Sequence, residues 1–165
     1  MAIIIIEPSD NDGAEFISAM QFSQEYHAPW VDAPKTQEKF AEYLNKYNQA
    51  NNKSFLIKYN NKISGVINLN EIVMGCFKSA YLGFYGAKQF SGLGIMQEGL
   101  RLVIEQAFND LGLHRLEANI QPTNTRSINL VKKLGFNKEG FSPKYLYINN
   151  QWCDHERWAI INHKV

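Results

Sequence analysis

The sequence predicts an α+β fold, with a mixed central sheet of about seven strands flanked by about four helices. Three observations carry that expectation. Apolar residues switch between a two-residue and a 3.6-residue period along the chain. The segments run strand, two helices, three strands, helix, strand, helix, two strands. Two β-rich runs flank one tight turn and a further strand follows, so antiparallel pairing starts the sheet and a regular doubly wound alternation is excluded. At 165 residues, 45% of them hydrophobic, the chain can bury roughly two thirds of its unfolded surface. It contains no linker, repeat or low-complexity tract, so residues 1–165 are expected to form one domain.

The first strand is expected over residues 2–6. "MAIIIIEPSD" lacks a basic leader, its apolar run is short and Glu7-Pro8 interrupts it, so it reads as a buried strand and not as a signal peptide. Phe16, Ile17 and Met20 then mark a helix over 13–24. Thr36 is placed to cap a second helix carrying Phe40, Tyr43, Leu44 and Tyr47. Between the helices, "YHAPWVDAP" reads as a loop because Pro29 and Pro34 prevent a regular helix. Two β-rich runs flank Asn60-Asn61, a pair that tolerates the positive φ of a tight hairpin, and "SAYLGFYGA" adds the next strand. Ile95, Met96, Leu100, Val103, Ala107, Phe108 and Leu111 mark a helix ended by Gly112. A strand over 115–120, a helix over 127–134 closed by Gly135, and strands at about 144–148 and 152–160 complete the order.

Charge and cysteine usage narrow the function classes. Lys and Arg total 17 against 16 Asp and Glu, with no run of five or six like charges, so direct binding to nucleic acid or to a membrane is not expected. Cys76 and Cys153 show no C-x-x-C spacing, and His27, His114, His155 and His163 form no metal-spaced pair. No zinc site, disulfide framework or other metal is expected, and a reducing cytoplasmic location fits. Cys153 reads as a packed thiol, and His155 in "CDHE" as a residue that orders the last strand.

The most informative stretch is "FYGAKQFSGLGIMQEGL". It begins as a strand, breaks at Gly92 and Gly94, and resumes as an amphipathic helix. Such a turn leaves backbone N–H groups unpaired where the helix dipole is positive, so an anion, phosphate first, is the natural guest. The spacing G-x-x-x-x-G-K-[ST] is absent. G-x-G-x-x-G fails because Gln97 stands three residues after Gly94, which removes support for nucleotide hydrolase and dinucleotide dehydrogenase readings.

What remains is Gln89-x-x-Gly92-x-Gly94, which resembles the Q/R-x-x-G-x-G/A pyrophosphate loop of the GNAT superfamily of N-acetyltransferases. "NIQPTNTRSINLVKKLGFNKEGF" resembles the second signature of that superfamily: Asn124 and Ser127 open a helix ending in Leu134-Gly135-Phe136, followed by Glu139-Gly140. "PWVDAP", "GCFKSAYLGFYGAKQFSGLG", "LHRLEANIQPTN" and "YLYINNQWCDH" narrow the resemblance to the RimJ/RimL group, nearest to the RimJ-type ribosomal-protein-alanine acetyltransferases. It spans about residues 28–160.

The resemblance implies a GNAT fold and an acetyl-CoA cosubstrate. Phe84, Tyr85 and Gly86 would pair with the pantetheine arm. Gln89, Ser91, Gly92, Leu93, Gly94, Ile95, Met96 and Asn124 would complete the cofactor site, and a main-chain N–H near Phe84 or Tyr85 would hold the oxyanion. Many members protonate the leaving thiolate with a tyrosine eight positions into the second signature. That position is Val131 here, and Ser127 matches the serine used by RimL-like enzymes instead. A carboxylate proposed as base in RimL would fall near Leu146, so the general base is unassigned and water is a sufficient acceptor for an amine of pKa about 7.7–8.0. For the acceptor groove the candidates are His27, Trp30 and Asp32 in the early loop, Glu71 on the central hairpin, and Tyr145 and Tyr147 on the late strand. Ordinary packing explains the loop residues and the two tyrosines equally well, and an exposed acidic residue at a strand end explains Glu71 better.

The implied reaction is transfer of an acetyl group to the N-terminal α-amine, alanine first, of a ribosomal or other protein by direct attack, in a monomer or homodimer. A small-amine or polyamine acetyltransferase shares the same cofactor site, and a noncatalytic CoA-binding or ribosome-assembly protein is the alternative from another class.

Overall fold

The computed structural model describes residues 2–164. Seven strands form one sheet in the order β1-β2-β3-β4-β5-β7-β6. They are β1 (Ile3–Ile6), β2 (Lys53–Tyr59), β3 (Lys62–Val73), β4 (Ser79–Gly86), β5 (Arg115–Ile120), β6 (Asn137–Ile148) and β7 (Gln151–Ile161). Every neighbouring pair is antiparallel except β4 and β5. The helices are α1 (Gly13–Phe22), α2 (Gln24–His27), α3 (Gln37–Tyr47), α4 (Ile95–Asn109) and α5 (Thr125–Lys133).

The α+β class, the seven strands and their order match the sequence expectation. Local chemistry explains the sharpest boundaries. Thr36 Oγ1 accepts from the Lys39 N–H at 3.1 Å and starts α3. Asn60 and Asn61 take φ of 50° and 63° in the β2–β3 turn. Gly112 (φ 69°) and Gly135 (φ 93°) follow the ends of α4 and α5.

The clearest differences are three boundaries and one burial state. The helix expected over 13–24 stops at Phe22, because Ser23 turns its hydroxyl back onto the Ala19 carbonyl at 2.8 Å. The single turn α2 then occupies the start of the stretch read as a loop and ends before Ala28, whose extended backbone (ψ 139°) is what a following proline imposes. β1 lies at the sheet edge with Ile4 47% exposed, so it is half-buried rather than buried. β6 starts at Asn137, seven residues earlier than expected. Its first half is polar, contains Gly140 and Pro143 and slips register twice, which removes the two-residue period, and an edge strand tolerates that proline.

Alternation along the strands produces two apolar layers. Phe55, Ile57, Ile67, Leu82, Leu116, Ala118 and Trp158 face α4 and α5. Leu56, Ile63 and Val66 face the other way, against Phe16 and Met20 of α1 and Phe40 and Tyr43 of α3. Leu100, at the middle of α4, has no exposed surface. Leu100→Ala is expected to lower the unfolding free energy by about 2–5 kcal/mol. Phe77→Ala, at a side chain 67% exposed, is expected to stay within about 0.5 kcal/mol. Urea denaturation of both variants checks the pair.

Candidate functional site

The parallel contact between β4 and β5 covers only Ser79↔Arg115, Ala80↔Leu116 and Tyr81↔Glu117. Beyond Tyr81, β4 keeps its pairing to β3 as far as Gly86 but no longer pairs with β5. The sheet therefore forks at its centre. The fork opens into a cleft of about 610 Å³.

The glycine turn stands at the mouth of this fork. Gly92 and Gly94 have φ of 78° and 75°, and a Cβ on either would meet nothing within 4 Å. Left-handed backbone, not crowding within the protein, is what requires glycine here. Gly94 is also the N-cap of the 15-residue α4, and the first intrahelical bond runs from Glu98 N–H to Gly94 O. The N–H groups of Ile95, Met96 and Gln97 therefore have no acceptor inside the helix, and all three residues line the cleft. Lys133 and Arg126 line it too, whereas none of its lining residues is Asp or Glu. The open space, the free N–H groups and the cations fit a phosphate-bearing guest.

The second signature borders the same space. Asn124 caps α5 by accepting from the Ser127 N–H at 3.3 Å, and both side chains line the cleft. Val131, by contrast, is fully buried in the core beneath α5.

The opposite wall comes from α1, α2 and the loop after them. His27 Nε2 donates to the Gly86 carbonyl at 2.7 Å, and Lys88 N–H donates to Ser23 Oγ at 2.9 Å. These two bonds tie the helical segment to the junction of β4 and the glycine turn. Burial is the main reason that the His27 pKa lies below its ordinary value; the Gly86 bond opposes it and Lys35 adds to it. His27 stands edge-on to the Tyr85 ring at 5.2 Å, and burial, followed by Tyr43 and Tyr47, raises the Tyr85 phenol well above its ordinary pKa. Tyr26 reaches across to α5, where the Arg126 guanidinium lies 4.3 Å from its ring centroid. Asn149 of the β6–β7 turn donates to the Pro29 carbonyl at 3.0 Å and fastens the far end of the loop.

Of the residues singled out in the sequence, the cleft gathers Phe84, Tyr85, Gly86, Ser91, Gly92, Gly94, Ile95, Met96, Asn124, Ser127, His27 and Trp30. Six do not line it. Gln89 lies in a short 3-10 turn, and Leu93 is 61% exposed. Asp32 pairs with Lys35 at 2.6 Å. Glu71 sits at a register shift of β3 with φ 52°. Tyr145 and Tyr147 give way to Leu146 and Ile148, because the irregularity between Ser142 and Leu146 resets which side chains of β6 face inward. Asn68, Asn119, Gln121 and His155 line the cleft without having been assigned to it. They sit on β3, at or just beyond the end of β5, and on β7, and only the forked pairing brings them together.

Residues 3–137 match the family model of the acetyltransferase (GNAT) domain. The chain is 41% identical over 101 residues to the probable N-acetyltransferase YjcK of Bacillus subtilis, covering 61% of this chain and 56% of that protein. It is 40% identical over 99 residues to the [ribosomal protein uS5]-alanine N-acetyltransferase of Escherichia coli, covering 60% and 51%. These matches span about half the length of the two relatives. A spermidine N(1)-acetyltransferase of E. coli is similar at 21% identity, over 96% of this chain and 86% of that one. Among solved structures, the ribosomal-protein-S5-alanine acetyltransferase of Vibrio fischeri superposes with a TM-score of 0.88 at 26% identity, covering 99% of this chain and 95% of that one.

The lowered His27 pKa has a stability consequence. Between that value and the ordinary 6.5 the unfolded chain binds more protons than the folded one, so this contribution is present above about pH 6.5 and is lost as pH falls through the folded value. Urea denaturation at several pH values is expected to show the stability gap between wild type and His27→Gln narrowing as pH falls from 7.5 to 5.5.

Proposed function

The chain belongs to the GNAT acetyltransferase family, and on that premise we propose that it transfers the acetyl group of acetyl-CoA to the N-terminal α-amine of a protein, with alanine as the preferred first residue. The observation that carries this reading is the fork itself. It has a glycine turn and a helix start at one wall and an aromatic, carboxylate-free chamber at the other.

Acetyl-CoA supplies an activated thioester, and the chain's own groups do the rest. The N–H groups at 92–96 receive the pyrophosphate, with Lys133 and Arg126 nearby; charge-assisted bonds of this kind contribute roughly 1.5–3 kcal/mol each. The edge of β4 that β5 leaves unpaired offers backbone donors and acceptors to the pantetheine amides, as an added strand would. A main-chain N–H near Phe84 or Tyr85 holds the developing oxyanion without titrating. Alignment of amine and thioester in the cleft supplies up to about 7–11 kcal/mol of the barrier reduction. Ser127, at the cofactor wall, is the proton donor to the departing sulfur, in keeping with the burial of Val131 at the position where many GNAT enzymes carry the acid.

The chamber favours a single α-amine over a polyamine. A polycation calls for carboxylates, and among the described residues no Asp or Glu lines the cleft. Trp30 and Tyr26 instead offer aromatic surface to a short apolar residue and its following peptide.

Intact-mass spectrometry with acetyl-CoA is expected to show one acetyl group added to an Ala-starting peptide and none to spermidine. Acetylated spermidine alone would reverse the acceptor assignment. CoA binding without product on either would support a noncatalytic role. Ser127→Ala is expected to lower kcat by about 10²-fold and leave CoA affinity by titration calorimetry within a factor of about three. Gly94→Val is expected to do the opposite, weakening CoA by more than about tenfold, because the side chain cannot take φ 75° without strain.

A further inference from the structure

We propose that His155 is the general base, with its Nε2 taking the proton from the attacking amine. The inference rests on the acetyl-transfer reading above and names a residue for the step that the sequence left to water.

Trp158 and Ile160 of β7 point into the layer under α4 and α5. Alternation therefore turns His155 toward the opposite face of the sheet, the one carrying α1 to α3. Acceptor and cofactor can thus approach the fork from opposite faces. The His155 ring is 2% exposed and lines the cleft. Its Nδ1 lies 2.9 Å from the Cys153 carbonyl, which can only accept, so Nδ1 carries the hydrogen and the neutral ring keeps its lone pair on Nε2. Nε2 has no hydrogen-bond partner among the described residues.

A complementary group stands beside it. The β5–β7 register Ile120↔Glu156, carried one residue further, sets Gln121 across from His155. The Gln121 amide Nε2 is buried, lines the cleft and has no partner. Gln121 Nε2 is a buried donor without a partner, and the His155 lone pair beside it faces the cleft, so a guest that supplies both complements fits here. An amine N–H and a carbonyl oxygen are such a pair. The cleft's other imidazole, His27, also keeps a buried nitrogen without a partner, Nδ1, but its Nε2 fastens α2 to Gly86 and, besides burial, the charge of Lys35 disfavours its protonation.

The step balances without a further reactant. The amine lone pair forms the C–N bond while the carbonyl π pair moves to oxygen. The N–H bond breaks with its electrons retained on nitrogen, and the proton passes to His155 Nε2. When the oxygen pair returns, the C–S bond breaks toward sulfur, which takes one proton from Ser127. The proton held by His155 restores the hydroxyl through solvent, leaving amide and thiol.

The test uses the full chain with an Ala-starting peptide. His155→Gln is expected to lower kcat about 10²- to 10⁴-fold, with CoA affinity within a factor of about three and urea stability near wild type. Nitrogen NMR of the wild-type ring is expected to show hydrogen on Nδ1 and a free Nε2 that shifts when the peptide is added to the CoA complex. Three results would overturn the assignment: His155→Gln retaining more than about half of wild-type kcat, CoA affinity falling in parallel with activity, or the opposite ring tautomer. The NMR readout holds even if the variant folds poorly. A wild type that acetylates no peptide but shows the expected ring would fail the acetyl-transfer reading instead.

Discussion

The rest of the site depends on β4 and β5 pairing for three residues and then parting. A backbone edge left unpaired in the middle of a sheet is costly unless something pairs with it. Here the opening is sustained by elements on both sides. α4 and α5 pack one layer and α1 to α3 the other, so the fork does not depend on either wall alone. The hydrogen bonds from His27 to Gly86 and from Lys88 to Ser23 then fasten the acceptor-side helices to the strand end where the glycine turn begins. One short stretch of backbone is thereby shared by the two walls.

Each wall has its own chemistry. On the proposed reading the functional groups are mostly main chain at the cofactor wall and mostly side chain at the acceptor wall: at the first stand N–H groups set by Gly92, Gly94 and the start of α4, which cannot titrate and need only the correct φ. At the acceptor wall they are side chains on strands and on α2, positioned by sheet alternation and by the tie from Asn149 to Pro29. Backbone recognition suits a guest common to a whole family. Side-chain recognition is where members of one fold diverge.

That division also explains what the sequence made legible. Gly92-x-Gly94 stood out because positive φ excludes other residues, and Thr36 and Asn60-Asn61 were readable because caps and tight turns are local. Asn68, Asn119, Gln121 and His155 looked like ordinary strand residues; they share a cleft only through β4 running beside β5 and β5 beside β7, contacts between distant segments. The choice of Tyr145 and Tyr147 over Leu146 and Ile148 turned on an irregularity in β6 that resets the facing of the strand. Asp32 and Glu71 carried suitable charge, yet one is held by Lys35 and the other sits at a register shift outside the cleft.

A crystal structure of the chain with CoA tests the central claim most directly. The account predicts the pyrophosphate on the backbone N–H groups of the Gly92–Gly94 turn and the start of α4, the pantetheine arm hydrogen-bonded along β4 beyond Tyr81, and the sulfur in the fork between β4 and β5. CoA bound elsewhere, or a fork that closes so that β4 and β5 pair along their full length, would contradict it.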